Sequence, residues 1–211
     1  MSASQFVPVI GLVGGVGSGK SALADWVGGK RDVELIDGDG IGHELLTDCS
    51  VQSSIRERFG GSVFDENGAI DRAILGRKVF GSGEQHRFAR RDLEQILHPR
   101  IRNEIAERIE RARGAGKVDA VILDAAVLIE AGWDDLCDAV VFVDTNYLQR
   151  LNRVVQNRDW DEAKLLARES SQLTLEEKRS AANVVIDNSG SLEEAGGRLT
   201  EILTELIQDH V

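Results

Sequence analysis

Short apolar runs alternate with helical patterns along most of the chain. The runs have the length of strands that are covered on both faces, as in a parallel sheet. They are Val7–Val13, Val33–Ile36, Val118–Leu123, Ala139–Val143 and Val184–Ile186. Apolar spacing predicts helices over Ser21–Gly28, Gln149–Gln156, Asp161–Gln172 and Leu192–Ile207. Strands separated by helices predict right-handed βαβ units and a three-layer α/β/α fold with a parallel five-stranded sheet.

The alternation is interrupted from Gly38 to Lys117, where almost no strand pattern occurs. Apolar residues there recur at intervals of three and four, which predicts a helical region, 38–117, inserted into a core formed by 1–37 and 118–211. Pro99 predicts a break or a kink in its longest helix. The mixed charges of Arg87–Arg113 favour a solvated helix face over a cationic substrate patch.

Composition narrows the class of protein. The 211 residues include 36 acidic and 25 basic side chains, a net charge of −11, which argues against general nucleic-acid binding. No apolar run approaches the roughly 18 residues of a membrane span, and Met1–Pro8 lacks the features of a secretory signal. Cys49 and Cys137 form no metal-spaced cluster and are interpreted as reduced thiols. We therefore expect a cytoplasmic protein without a membrane or nucleic-acid partner.

The segment Gly14–Ser21 (GGVGSGKS) matches the phosphate-loop pattern G-x-x-x-x-G-K-[ST]. Its glycines allow the backbone N–H groups to surround a phosphate, and the helix that follows adds the positive end of its dipole. Lys20 would reach the β- and γ-phosphates of a nucleoside triphosphate, and the Ser21 hydroxyl would hold Mg²⁺. The predicted ATP-binding residues of this segment are Gly15, Val16, Gly17, Ser18, Gly19, Lys20, Ser21 and Ala22.

Three acidic residues follow predicted strands. Asp37 and Asp39 come after the second strand, where a carboxylate can accept a proton from an attacking hydroxyl group, or where either can cap the next helix. Asp124 comes after the third strand, where it can orient Mg²⁺ through water or cap a loop. A water-mediated contact with Mg²⁺ is also open to Asp39.

Arginines follow the fourth strand. Arg153 and Arg158 lie where a lid, about 153–170, would begin, and arginines there would neutralise charge on a transferring phosphoryl group. For Arg150 we expect an exposed position on the same helix. An N-K-x-D motif, which a GTPase would carry, is absent from the sequence. A small-molecule kinase is therefore favoured, with a kinase for another small acceptor and a nucleotide-dependent regulatory module as alternatives.

Several segments together resemble the dephospho-CoA kinase family, over roughly residues 8–190. Besides the phosphate loop, the similar segments are IDGDGIGH (36–43), DRAILGRKVF (71–80), LEQILHPRI (93–101), VLIEAGW (127–133), Gln172, Lys178–Arg179 and VIDNSG (185–190). The resemblance implies a P-loop kinase that transfers the γ-phosphate of ATP to the ribose 3′-hydroxyl of dephospho-CoA, with Mg²⁺ as cofactor. It also implies an acceptor-binding role for 38–117, and we expect a monomer or a small homo-oligomer.

The resemblance assigns individual roles as well. It implies that Asp39 is the general base, that Arg153 contacts the phosphates, that Arg158 is a nearby lid arginine and that Asn188 lies on the adenine side. The chain departs from the family pattern at Val13, Gly38, Ala126 and Asn183, where Thr, Ala, Pro and Asp are usual. Arg153 and Arg158 are also one residue further apart than the family pattern has them.

Overall fold

The computed structural model describes residues 6–81 and 83–209. Residues 1–5, which include most of the segment judged to lack a signal, lie outside the described residues, as do Ser82 and residues 210–211.

A five-stranded parallel sheet forms the centre of the fold, as predicted. Its strands are β1 (Val9–Gly14), β2 (Val33–Asp37), β3 (Ala120–Asp124), β4 (Ala139–Asp144) and β5 (Val184–Asp187). Their order across the sheet is β2-β3-β1-β4-β5, which makes β1 the central strand. The chain passes from β1 to β2 on one side of β1, and it later passes from β3 to β4 on the other side. The carboxyl end of β1 therefore lies at the switch point of the topology, which is the usual place for a ligand in such sheets.

Nine α-helices occur in the described part of the chain. They are α1 (Lys20–Gly28), α2 (Gly38–Leu45), α3 (Cys49–Phe59), α4 (Arg72–Val79), α5 (Glu84–Ala115), α6 (Tyr147–Arg158), α7 (Glu162–Glu169), α8 (Leu175–Ala181) and α9 (Leu192–Gln208). The sequence analysis missed α8, which is short and charged. Its capping box, in which Thr174 and Glu177 each bond the other's backbone N–H, is a signal that could have revealed it.

Helices α1 and α9 cover one face of the sheet. Ile10 and Leu12 of β1 belong to the same buried cluster as Leu23 of α1 and Leu199 of α9. Alternation along β1 sends these side chains to one face, because the side-chain period of a strand is two. Helix α8 contacts β1 and β4.

Helix α5 runs through Pro99 without interruption, so of the predicted break or kink the break is wrong, and the kink stays a prediction. A proline inside a helix removes a backbone hydrogen bond and normally ends or bends the helix. Packing holds α5 on both sides of Pro99, because Leu97 packs against a buried cluster and Ile101 and Ile105 are themselves buried.

The chain divides into two compact units. One contains the sheet and comprises the residues up to Gly38 together with those from Ala106 onward; the other is Asp39–Ile105. The second unit has its own core, formed by Val51, Ile55, Val63, Leu75 and Val79. It overlaps the predicted inserted region, 38–117, whose acceptor-binding role stays a prediction. Over 6–81 and 83–209, no helix has both the length and the apolar character that a membrane crossing requires.

Candidate active site

The phosphate loop connects the central strand β1 to α1, at the carboxyl end of the sheet. Gly14 is the last residue of β1, and Lys20 is the first residue of α1. The first turn of α1 contains no acidic residue, so the positive end of its dipole is not neutralised from within the helix. This is the arrangement that favours an anion at a helix N terminus.

The carbonyl oxygen of Ser18 is held by three donors. They are Asn188 Nδ2 at 2.8 Å, Thr145 Oγ1 at 2.9 Å and Arg153 Nη1 at 3.0 Å. Ser18 itself is completely buried. The end of β4, helix α6 and the end of β5 therefore contribute one side chain each to fixing the loop.

Two predicted site residues, Arg153 and Asn188, also contact each other. Arg153 Nη2 donates to the backbone oxygen of Asn188 at 3.0 Å. A Cβ atom on Gly19, whose φ is +91°, would lie 2.6 Å from Asn188 Nδ2, so this position requires glycine. The protein contacts of Arg153 are thus with the loop and its support, and its role toward a phosphate stays a prediction.

Lys20, Ser21 and Asp124 meet beside the loop. Lys20 Nζ lies 3.4 Å from the oxygen of Gly14 and 3.3 Å from that of Gly15. The Ser21 hydroxyl donates a hydrogen bond to Asp124 Oδ2. Hydroxyl and carboxylate oxygens are hard ligands of the kind that Mg²⁺ prefers, so this pair fits the predicted cofactor.

Arg150 is buried, with 4% of its surface exposed, and our expectation of an exposed position was wrong. It forms an ion pair with Glu169, the last residue of α7. Nothing in the spacing of the sequence relates these two residues, because they lie on different helices. Thr145 was also not predicted as a site residue. It lies directly after β4, and a position close to the end of a strand is the signal that had marked Asp37 and Asp124.

Three other predicted residues belong to α6, β2 and α2. Arg158 ends α6, with its guanidinium 5.4 Å from the centre of the Trp160 ring. Asp37 ends β2 and is the register partner of Asp124. Asp39 is the second residue of α2 and belongs to the other compact unit. The alternative roles of Asp37 and Asp39 stay predictions.

Two departures from the family pattern have structural explanations. A Cβ atom on Gly38 would lie 2.9 Å from the Cβ of Ala125, so glycine relieves crowding there. The side-chain oxygen of Asn183 accepts the Val140 N–H at 2.7 Å, an interaction that an aspartate could make equally well.

A phosphate loop at the switch point of a parallel sheet, followed by Lys20 and Ser21, is the architecture of a P-loop kinase. Solved structures agree on the fold. A Thermus thermophilus protein is 29% identical, with 95% of this chain and 98% of that chain covered and a TM-score of 0.77. Shikimate kinase from Acinetobacter baumannii, at 18% identity, covers 97% of this chain and 96% of its own with a TM-score of 0.51, and it shows the fold alone.

Sequence comparison identifies the family. The family model for dephospho-CoA kinase matches residues 8–194. Dephospho-CoA kinase from Corynebacterium glutamicum is 35% identical over 93% of this chain and 98% of its own length. The relative from Carboxydothermus hydrogenoformans is also 35% identical, over 93% of both chains. The chain belongs to the dephospho-CoA kinase family, which confirms the resemblance and the assignment to ATP-dependent kinases.

Proposed function

We propose that the protein transfers the γ-phosphoryl group of ATP to the ribose 3′-hydroxyl of dephospho-CoA, giving CoA and ADP. The observation that carries the proposal is the phosphate loop between β1 and α1, with Lys20 and Ser21 in place. Lys20 and N–H groups of the loop other than that of Val16, which donates to Glu169, hold the phosphates of ATP. Arg153, next to the Ser18 carbonyl, stabilises charge on the transferring group.

The residues that would hold Mg²⁺ are Ser21, directly, and Asp124, through water. Their mutual hydrogen bond supports this assignment, because it brings a hydroxyl and a carboxylate oxygen together next to the loop. When bound with ATP, the ion would neutralise negative charge on the phosphates.

Asp39 is the proposed general base. It would accept the proton of the 3′-hydroxyl as that oxygen forms a bond to the γ-phosphorus and the bond from phosphorus to the departing ADP breaks. Its position just after β2 supports the role, because catalytic groups gather at the carboxyl ends of parallel strands. The helical unit Asp39–Ile105 would bind the acceptor, and Asn188 the adenine side of ATP. Asn188 is linked to the phosphate loop through its side chain, because its Nδ2 donates to the Ser18 oxygen at 2.8 Å.

The direct test is phosphoryl transfer by purified protein with Mg-ATP and dephospho-CoA, with CoA detected by mass spectrometry. Adenosine and AMP serve as control acceptors. We expect CoA to form faster than either control product and the activity to be lost in Lys20→Ala. Transfer to a control acceptor in preference to dephospho-CoA would contradict the proposed substrate.

Substitution of the proposed base tests its assignment separately. Asp39→Asn should lower kcat by roughly 10²–10⁴-fold, the usual worth of general acid–base catalysis, while ATP binding is retained. Asp37→Asn is the matched control, since it changes the other carboxylate of the same segment. A large loss of kcat in Asp37→Asn with near-normal turnover in Asp39→Asn would reverse the assignment.

A further inference from the structure

An ion pair between α6 and α7 holds one residue of the phosphate loop by both of its backbone polar groups. Glu169 Oε1 accepts the Val16 N–H at 3.2 Å and also pairs with Arg150 Nη1. The same guanidinium nitrogen lies 3.4 Å from the Val16 carbonyl oxygen. Neither residue was predicted as part of the site, and their contacts place them against the loop.

The guanidinium of Arg150 is fixed from further sides. Its Nε donates to the Thr145 oxygen at 3.2 Å, just after β4. A Cβ atom on Gly15 would lie 2.7 Å from Nη1, so the second glycine of the loop leaves room for this group. The guanidinium of Arg150 is therefore fixed by the residues around it and does not lie on a free surface.

Apolar contacts join the same elements. Val16 forms a buried cluster with Val154 of α6 and Leu165 of α7. Helix α7 is consequently held to the loop by the Glu169 carboxylate on the Val16 N–H and by the packing of Leu165 with Val16, and it is held to α6 by the charge pair. If α7 moved away, it would uncover the charge of Arg150, which is 4% exposed, and leave the Val16 N–H without its Glu169 partner.

We propose that Arg150 and Glu169 are positioning residues that couple the docking of α7 to nucleotide binding at the phosphate loop. A nucleotide that binds the ordered loop better than the loosened one stabilises the docked helix. By linkage, the docked helix then raises the affinity of the loop for the nucleotide by the same factor. The inference rests on the proposed role of the loop in holding ATP phosphates.

Hydrogen exchange on the unmodified protein, followed by mass spectrometry with and without ADP, tests the coupling. We expect amides of the loop and those of Leu165–Glu169 to gain protection together. Protection of the loop with no change in α7 would overturn the coupling while leaving the nucleotide site intact. A loop that ADP does not protect would overturn both.

Kinetics of Glu169→Gln test the role of the pair. The KM for ATP should rise about tenfold, within the usual range of coupling between sites, while the KM for dephospho-CoA stays within about twofold. The matched control is Glu201→Gln, which breaks an arginine–glutamate pair on α9, where Arg198 Nη1 lies 2.9 Å from Glu201 Oε2. This control should leave both KM values unchanged.

Stability measurements separate positioning from folding. If Glu169→Gln lowers the midpoint of thermal unfolding but not the affinity for ATP, the pair is structural only and the proposal fails. Should that variant not fold, Glu169→Asp keeps the charge and withdraws the carboxylate from Val16 by one methylene. An unchanged KM for ATP in Glu169→Asp, together with α7 amides that ADP does not protect in the unmodified protein, would again overturn the proposal.

Discussion

At the scale of single residues, glycine is required in the phosphate loop where other atoms approach it closely. Gly17 has φ +77°, and a Cβ atom there would lie 2.7 Å from the backbone oxygen of Arg150. A side chain at this position would thus clash with a backbone atom, which cannot relieve the contact by changing rotamer. The motif pattern leaves this position open, so only the fold reveals the requirement.

We expect Gly17→Ala to reduce ATP affinity at least tenfold, because the loop must shift to relieve the contact. The control is Gly68→Ala, where φ is +81° and no atom lies within 4 Å of the added Cβ. It should show only the backbone cost, about 1–2 kcal/mol in the free energy of unfolding, with normal activity. ATP titration and thermal unfolding of both variants measure the difference, and equal ATP affinities would refute the argument.

The two cysteines should differ in reactivity. Burial, with the nearby Asp134 and Asp138, raises the pKa of the Cys137 thiol to about 12, whereas Cys49 is exposed. Since the thiolate is the nucleophile, alkylation of the native protein at pH 8 should label Cys49 and leave Cys137 unmodified. Peptide mapping by mass spectrometry checks this, and both should react after unfolding in denaturant. Equal labelling of the two in the native protein would contradict the expected burial.

At the scale of elements, α8 is anchored to the loop after β3 by one buried ammonium group. Lys178 Nζ donates to the Ala126 oxygen at 2.8 Å and to Gln172 Oε1 at 2.9 Å, and it lies 3.0 Å from Glu130 Oε1. Lys178 is 1% exposed, so all three protons are used inside the protein. Glu130, Gln172 and Lys178 belong to the segments that carried the family resemblance, and in the structure they form this one buried contact.

Lys178→Met should lower the free energy of unfolding by about 3–5 kcal/mol, because it removes a buried ammonium group and leaves the Glu130 carboxylate, whose side chain is 17% exposed, without its cationic partner. Arg179→Met is the neighbouring control. Its ion pair with Asp144 is about half exposed, so its loss should cost no more than about 1 kcal/mol. Denaturant unfolding of the two variants measures both values, and similar losses would argue against the buried anchor.

At the scale of the whole molecule, stability should depend on acid through carboxylates at helix starts and turns. Hydrogen bonds from Ser50 and the Val51 N–H lower the pKa of Asp48, the N-cap of α3. The pKa values of Glu177, Asp187 and Glu194 are lowered in the same way, by Thr174, by Ser189 and by Ser191.

A lowered pKa in the folded state stabilises the fold above the pKa of the unfolded chain, near 4, and this stabilisation is lost as pH falls through the folded value. The midpoint of thermal unfolding should therefore drop as pH decreases below about 4. Asp48→Asn, which keeps an acceptor but cannot titrate, should reduce the acid dependence. An unfolding midpoint that is independent of pH from 7 to 3 would contradict this.

Much of the architecture could be predicted from local patterns. The runs that became β1 to β5 were located to within about two residues. The inner strands β1, β3 and β4 are buried on both faces and therefore require nearly continuous apolar residues, whereas the edge strands β2 and β5 are partly exposed. The phosphate loop could be predicted equally well, since its glycines, Lys20 and Ser21 are adjacent in sequence and their roles do not depend on distant segments. The order of the strands was not predicted, because it depends on packing between distant segments.

The class of fold, the phosphate loop and the family can be inferred from the amino-acid sequence alone, since each depends on short, contiguous patterns. The burial of Arg150 against Glu169 and the continuation of α5 through Pro99 become known only from the folded chain. The same is true of the three separate elements that hold the Ser18 carbonyl. The physical reason is the same in each case: burial and pairing depend on which distant segments come together, and no periodicity along the chain encodes that.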